Sequence, residues 1–151
     1  MGIKHCGKST QGRLLAKHFS CPFFDTDDEV TGLTGKTPRE LYSQEGAQAF
    51  MEAEARVCQQ LAERFADAGG PAPAAAVGSR QSGRALGFSC VIATGGGICN
   101  NGAAIAALSQ FGRLVFLHAE EKLAADRIVR EARTGPDGSL QNLPAYIAKE
   151  N

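Results

Sequence analysis

Residues 2–10 read GIKHCGKST, and their spacing, G-x-x-x-x-G-K-[ST], is that of a loop whose backbone N–H groups wrap phosphate oxygens. Such a loop normally hangs from the end of a buried strand and opens a helix. The helix is legible: KSTQGRLLAKHF sets Leu14, Leu15 and Phe19 among polar residues, the pattern of a helix whose N-terminus begins at the phosphate site. The strand is not, because Met1 alone precedes the loop. Within the loop, Gly7 lets the backbone approach a phosphate, Lys8 has the reach for β and γ oxygens, and the Ser9 hydroxyl suits one position on Mg²⁺.

Outward from the loop, CPFFDTDD reads as a short buried strand with acidic residues at its C-terminal end, where ligands sit in open α/β sheets. Period-two alternation points the side chains of Asp25 and Asp27 the same way. Two carboxylates facing a phosphate loop suit two tasks, holding a metal-bound water and orienting or deprotonating a substrate hydroxyl. TPRE (Thr37 to Glu40) is a capping box with Pro at the first helical position, so a short helix starts there. A longer helix follows, with Phe50, Ala53, Val57, Leu61 and Phe65 recurring on its core face.

From 66 to 87 the composition turns to Gly, Pro, Ala and Ser, a flexible surface insertion by composition. LGFSCVIATGGG then gives an apolar strand running into Gly95, Gly96 and Gly97, a backbone surface for ligand contact or a hinge. NNGAAIAALSQFG opens a helix behind an Asn cap, RLVFLHA (Arg113 to Ala119) reads as a third strand, and EEKLAADRIVREA as a helix with Leu123, Ala124, Arg127 and Ile128 at matching spacing. The tail from 133 to 151 holds turn signals around Pro136 to Gly138 and reads as a mobile loop. Strands alternating with helices imply one domain over 1–151, a parallel sheet with helices on both faces.

Composition narrows the partners. Lys plus Arg (16) equals Asp plus Glu (16), so no net field favours nucleic acid or an anionic membrane. No apolar run approaches the ~20 residues of a membrane span, and no signal-peptide pattern stands at the N-terminus. Cys6, Cys21, Cys58, Cys90 and Cys99 lie far apart without a C-x-x-C pair, which argues for reduced thiols and against a zinc site. The expectation is a soluble, cytoplasmic, monomeric protein acting on a small molecule.

Five segments in order (GKST at Gly7 to Thr10, DTD at Asp25 to Asp27, EGAQAFMEAE at Glu45 to Glu54, ATGGG at Ala93 to Gly97, RLVFLHA at Arg113 to Ala119) resemble the shikimate kinase family. The resemblance implies a P-loop kinase fold of the nucleoside-monophosphate-kinase type and transfer of the ATP γ-phosphoryl group to the 3-hydroxyl of shikimate, a step of aromatic amino-acid biosynthesis. It implies ATP binding by the loop residues Gly2, His5, Cys6, Gly7, Lys8, Ser9 and Thr10, with Lys8 stabilising the moving phosphoryl group. Ser9 and Asp25 would fix Mg²⁺, and Asp27 would bind substrate hydroxyls and serve as base. Gly95, Gly96 and Gly97 would contact shikimate through backbone, and Arg133 matches a lid arginine that reaches the nucleotide phosphates.

The family grips the substrate carboxylate with arginines, since a planar fork gives bidentate, charge-assisted bonds. This chain has Met51 where one follows the family's Phe, and Leu143 where another precedes the lid proline. Position 5 is usually glycine in the family and is His5 here. The family's first strand and last strand have no counterpart in the sequence, so its fold is expected to be incomplete, with the strands at VIAT and RLVFLHA facing a gap. The alternatives are a related P-loop kinase for another small polyol or hydroxy acid, and an inactive fragment that at most binds nucleotide.

Overall fold

The structure is a computed structural model that describes residues 1–65, 89–131, 133–134 and 140–141. The expected insertion at 66–87 and most of the lid-like tail, Leu143 included, lie outside the described residues. In chain order the elements are α1 (Lys8–Phe19), β1 (Phe23–Asp25), α2 (Thr26–Thr34), α3 (Pro38–Phe65), β2 (Val91–Ala93), a 3-10 turn (Ile98–Asn100), α4 (Gly102–Phe111), α5 (Glu121–Glu131), β3 (Arg133–Thr134) and β4 (Leu140–Gln141).

β1 and β2 pair in parallel, Phe23 with Val91, Phe24 with Ile92 and Asp25 with Ala93. Successive side chains leave a strand on opposite faces, and helices cover both here. Phe23 faces α1, close enough that a Cβ on Gly12 would lie 2.6 Å from its ring, so glycine alone lets the helix approach. Phe24 and Ile92 turn the other way, onto a core of Val30, Leu41, Val57 and Leu61 from α2 and α3. Phe50, Ala53 and Phe65 pack against that core, so the expected helical stripe is the one observed. Ile92 also meets a second core of Cys58, Ile98, Ala104 and Leu108, which ties α3 to α4.

Local signals set the helix ends. The capping box closes at Thr37, whose N–H and hydroxyl both donate to Glu40 Oε2 (2.8 Å) while Glu40 N–H donates to Thr37 Oγ1 (3.2 Å). Those bonds hold the Glu40 carboxyl below its ordinary range. The short and long helices expected on either side of Gly46 form one stretch kinked there, at φ 91° and ψ 174°. Asn101 caps α4 by accepting from Ala104 N–H at 3.2 Å.

Several expectations need correction. Asp25 and Asp27 do not share a strand face. The strand ends at Asp25, which becomes the N-cap of α2, and Asp27 lies in that helix's first turn. The helix itself went unread, although Asp25 followed by Asp27, Asp28 and Glu29 is a capping and dipole signature. Arg113 to Ala119 is not a regular strand, because among the described residues its ladder contact comes from Met1: the α-amino group donates to Val115 O and Leu117 N–H donates to Met1 O, both at 2.8 Å. On α5, Ala124 and Ile128 are buried but Leu123 is exposed. Within the tail expected as a loop, Arg133–Thr134 and Leu140–Gln141 pair as two short antiparallel strands, Arg133 opposite Gln141 and Thr134 opposite Leu140.

Candidate active site

Residues 2–10 close into a loop because three of them take positive φ: Gly2 (151°), His5 (62°) and Gly7 (93°). Gly7 is the left-handed cap of α1, and its carbonyl accepts from Gln11 N–H at 2.9 Å, so the helix N-terminus opens onto the loop. Lys8 Nζ folds back over the loop to donate to Ile3 O at 2.7 Å. Ser9 Oγ donates to Asp25 Oδ2 at 2.5 Å, the short distance of a charge-assisted bond. The other oxygen of Asp25 accepts from Asp27 N–H at 3.2 Å, so one carboxylate joins the phosphate loop to the start of α2.

The glycine run follows β2, and its members are placed differently. Gly95 N–H donates to Thr26 Oγ1 at 2.9 Å, locking the end of β2 to that of β1. A Cβ on Gly95 would lie 2.9 Å from Asp27 Oδ1 and 3.0 Å from Glu54 Oε1, and one on Gly96 would lie 3.0 Å from Lys4 N. Both glycines are required by close approach. A Cβ on Gly97 would meet nothing, and this residue caps the 3-10 turn.

Together these elements enclose a cavity of about 540 Å³, lined by the loop from Lys4 to Gln11 and by Asp25, Asp27, Thr94, Gly96 and Arg127. The structure thus brings together His5, Cys6, Gly7, Lys8, Ser9, Thr10, Asp25, Asp27 and Gly96. Gly2, Gly95 and Gly97 stand outside the lining. The side chain of Arg133 lies outside the described residues. Burial, then the charge of Asp25, raises Asp27 above the ordinary carboxylate value, only partly offset by Lys8.

Four lining or neighbouring residues were missed from sequence. Arg127, read only as part of a helical stripe, donates from Nη1 to His5 O at 2.9 Å and sets a guanidinium at the cavity. Lys4 and Thr94 line the cavity as well. Glu54 is 1% exposed, and its Oε2 accepts from Asn101 Nδ2 at 3.0 Å while the same amide donates to Met51 O at 2.8 Å. Its Oε1 and Thr94 Oγ1 are buried without a hydrogen-bond partner among the described residues. Burial raises Glu54 too, the Asn101 bond opposing and Asp27 adding to it. The available signal was a Glu on the apolar face of a long helix, one turn after Met51.

A glycine loop that opens a helix, with an acidic strand end opposite its lysine and serine, is the arrangement of the P-loop kinase class of α/β folds. The family model for shikimate kinase matches residues 4–72. The shikimate kinase of Pseudomonas savastanoi pv. phaseolicola is 34% identical over 87% of this chain and 63% of its own length. That of Symbiobacterium thermophilum is 32% identical over 96% of this chain and 75% of its own. Among solved structures, shikimate kinase from Acinetobacter baumannii in complex with shikimate superposes with a TM-score of 0.67 at 28% identity, covering 86% of this chain and 60% of that one. The chain belongs to the shikimate kinase family, and it spans about two thirds or less of the length of several of these relatives.

Proposed function

We propose that this protein works as a shikimate kinase-like phosphotransferase, moving the γ-phosphoryl group of ATP to a hydroxyl of shikimate, a step of aromatic amino-acid biosynthesis. The observation that carries the reading is the Ser9 to Asp25 hydrogen bond at the mouth of a loop whose amides, Lys8 and helix N-terminus converge on one cavity with Asp27. The family resemblance and the shikimate held by the Acinetobacter relative support the choice of acceptor.

Loop amides and the N-terminus of α1 bind the phosphates, and Lys8 leaves Ile3 O to follow the γ oxygens. Mg²⁺ fits the Ser9 and Asp25 oxygens, since a hard cation takes oxygen donors. Bound there, Mg²⁺ would neutralise charge between the β and γ phosphates. Asp27, raised in proton affinity by its burial, takes the proton that the acceptor hydroxyl loses as its oxygen bonds to phosphorus and ADP departs. Gly96 holds the acceptor through backbone, and Arg127 adds positive charge beside the loop. Arg133 serves as the lid arginine, and Gly95 and Gly97 support the acceptor side.

No helix among the described residues is long and apolar enough to cross a membrane. The test is ADP release from ATP and Mg²⁺ with and without shikimate. Release that depends on shikimate is expected, and release indifferent to shikimate overturns the assignment of acceptor.

A further inference from the structure

Glu54 sits where a carboxylate has little to support it. On α3 it is 1% exposed, and Phe50 and Cys58, one turn to either side of it, pack in the interior. Its Oε2 accepts from Asn101 Nδ2, and its Oε1 is buried without a partner among the described residues. A buried charge is stable only with a cation or several hydrogen bonds. The charge that bears on Glu54 has its own sign, that of Asp27 in the first turn of α2. Burial, then Glu54, pushes the Cys58 thiol up to about 12, so that neighbour is neutral and offsets nothing.

Gly95 is the point at which the two carboxyls meet. A Cβ there would lie 3.0 Å from Glu54 Oε1 and 2.9 Å from Asp27 Oδ1, so both oxygens border one small space. When two carboxylates share a site, one of them keeps its proton, and the surroundings decide which. Asp27 lines the cavity, where Lys8 and Lys4 favour its charge, whereas Glu54 is closed off from solvent. The proton therefore belongs to Glu54. Asn101 also selects the oxygen that carries it. Because Asn101 Oδ1 accepts from Ala104 N–H, its Nδ2 is the group that donates to Glu54 Oε2, which leaves the hydroxyl on Oε1, the oxygen facing Asp27.

We propose that Glu54 is a positioning residue for phosphoryl transfer: held as the neutral acid, it donates from Oε1, directly or through one water, to Asp27 Oδ1, and so fixes that carboxylate with its other oxygen toward the acceptor hydroxyl. The proton stays on Glu54 throughout, and the one released by the acceptor goes to Asp27. What Asp27 does for the acceptor rests on the function proposed above; the neutral acid at Glu54 does not.

The test begins with an infrared difference spectrum of the full chain without ligands at pH 7, parent minus Glu54→Gln. The carbonyl stretch of a protonated carboxyl group, lost in the variant, is expected, and a difference made only of carboxylate bands overturns the proposal. Kinetics with ATP and shikimate then tests the donor. Glu54→Met keeps a side chain of similar length without a donor and should lower kcat about tenfold while the KM for shikimate stays within about twofold, since the bond removed serves the base and not the binding of the acceptor. Glu54→Gln offers an amide N–H in the same place and should recover most of that loss. A methionine variant with the parent's kcat, or a glutamine variant no faster than the methionine one, overturns the positioning role. If the methionine variant fails to fold, the infrared difference and the kcat of the glutamine variant decide. If shikimate elicits no ADP release from the parent, the function proposed above fails, and the infrared difference alone upholds or overturns the neutral acid at Glu54.

Discussion

The proposed phosphate end of the site and the proposed acceptor end, with the residues packed behind it, are built in opposite ways. At the phosphate end most polar groups meet partners near in sequence, Lys8 with Ile3, Asp25 with Asp27 and Ser9 with Asp25 sixteen residues on, and Arg127 alone of these contacts reaches the loop from 122 residues away. At the acceptor end the contacts come from far away, Gly95 to Thr26 and Asn101 to Glu54 spanning 69 and 47 residues, and two buried polar atoms, Glu54 Oε1 and Thr94 Oγ1, stay without partners among the described residues. Mostly local hydrogen bonds shape the first end, whereas the second depends on the core that packs α3 on α4. The difference suggests that substitutions at the phosphate end act on turnover, and those at the acceptor end on substrate affinity and stability.

Four experiments press on that contrast. Lys8→Ala should lower turnover by about 100-fold or more, because one preorganised cation on a transferring phosphoryl group contributes ~3 kcal/mol or more to the transition state. Unchanged turnover in a steady-state assay would take Lys8 out of the mechanism. At the other end, Met51→Arg restores the arginine that the family carries after this Phe and should tighten shikimate about tenfold, or ~1.4 kcal/mol. A calorimetric titration identical to the parent would mean that position 51 does not face the acceptor carboxylate.

Glu54→Gln probes stability. Burial raises the folded carboxyl above its ordinary 4.5. A raised acid favours folding below the unfolded pKa, and that contribution is lost as pH rises through the folded value. The glutamine variant should therefore match the parent near pH 4 and exceed it by about 1 kcal/mol at pH 7, keeping an acceptor for Asn101 without a buried charge. Urea melts at the two pH values check this, and a difference that does not grow with pH would place the charge elsewhere. The smallest effect belongs to His5→Gly. The left-handed φ of 62° costs a non-glycine residue about 1–2 kcal/mol, offset by roughly 0.5–1 kcal/mol of unfolded-chain entropy that glycine adds. A net gain near 0.5 kcal/mol by denaturant titration is expected, and a loss would show that the imidazole's own contacts outweigh the strain.

Which residues were legible follows from the same contrast. The loop, the capping box at Thr37, the core stripe of α3 and the cap of α4 are written in residues within one or two turns of each other, so sequence sufficed. Arg127 was hidden because spacing alone put it on the same stripe as Ala124 and Ile128, and only its reach to His5 O reveals its place at the cavity. Glu54 stood in a segment noted for its resemblance but showed no role until Gly95 and Asn101 closed over it. The strand expected at Arg113 to Ala119 is apolar enough for the part, yet a strand is defined by a partner, and Met1 supplies a single rung.

The amino-acid sequence by itself determined the phosphate loop, the helix that opens from it, the capping box at Thr37 and the Asn101 cap of α4. All of these rest on backbone conformations and hydrogen bonds between near neighbours, which residue type controls directly. Only the tertiary structure decided that Asp25 is a helix cap bonded to Ser9, that Asp27 and Glu54 share the space a side chain on Gly95 would fill, and that Arg127 reaches the loop. Those facts depend on which distant groups are desolvated together, and that is fixed by packing.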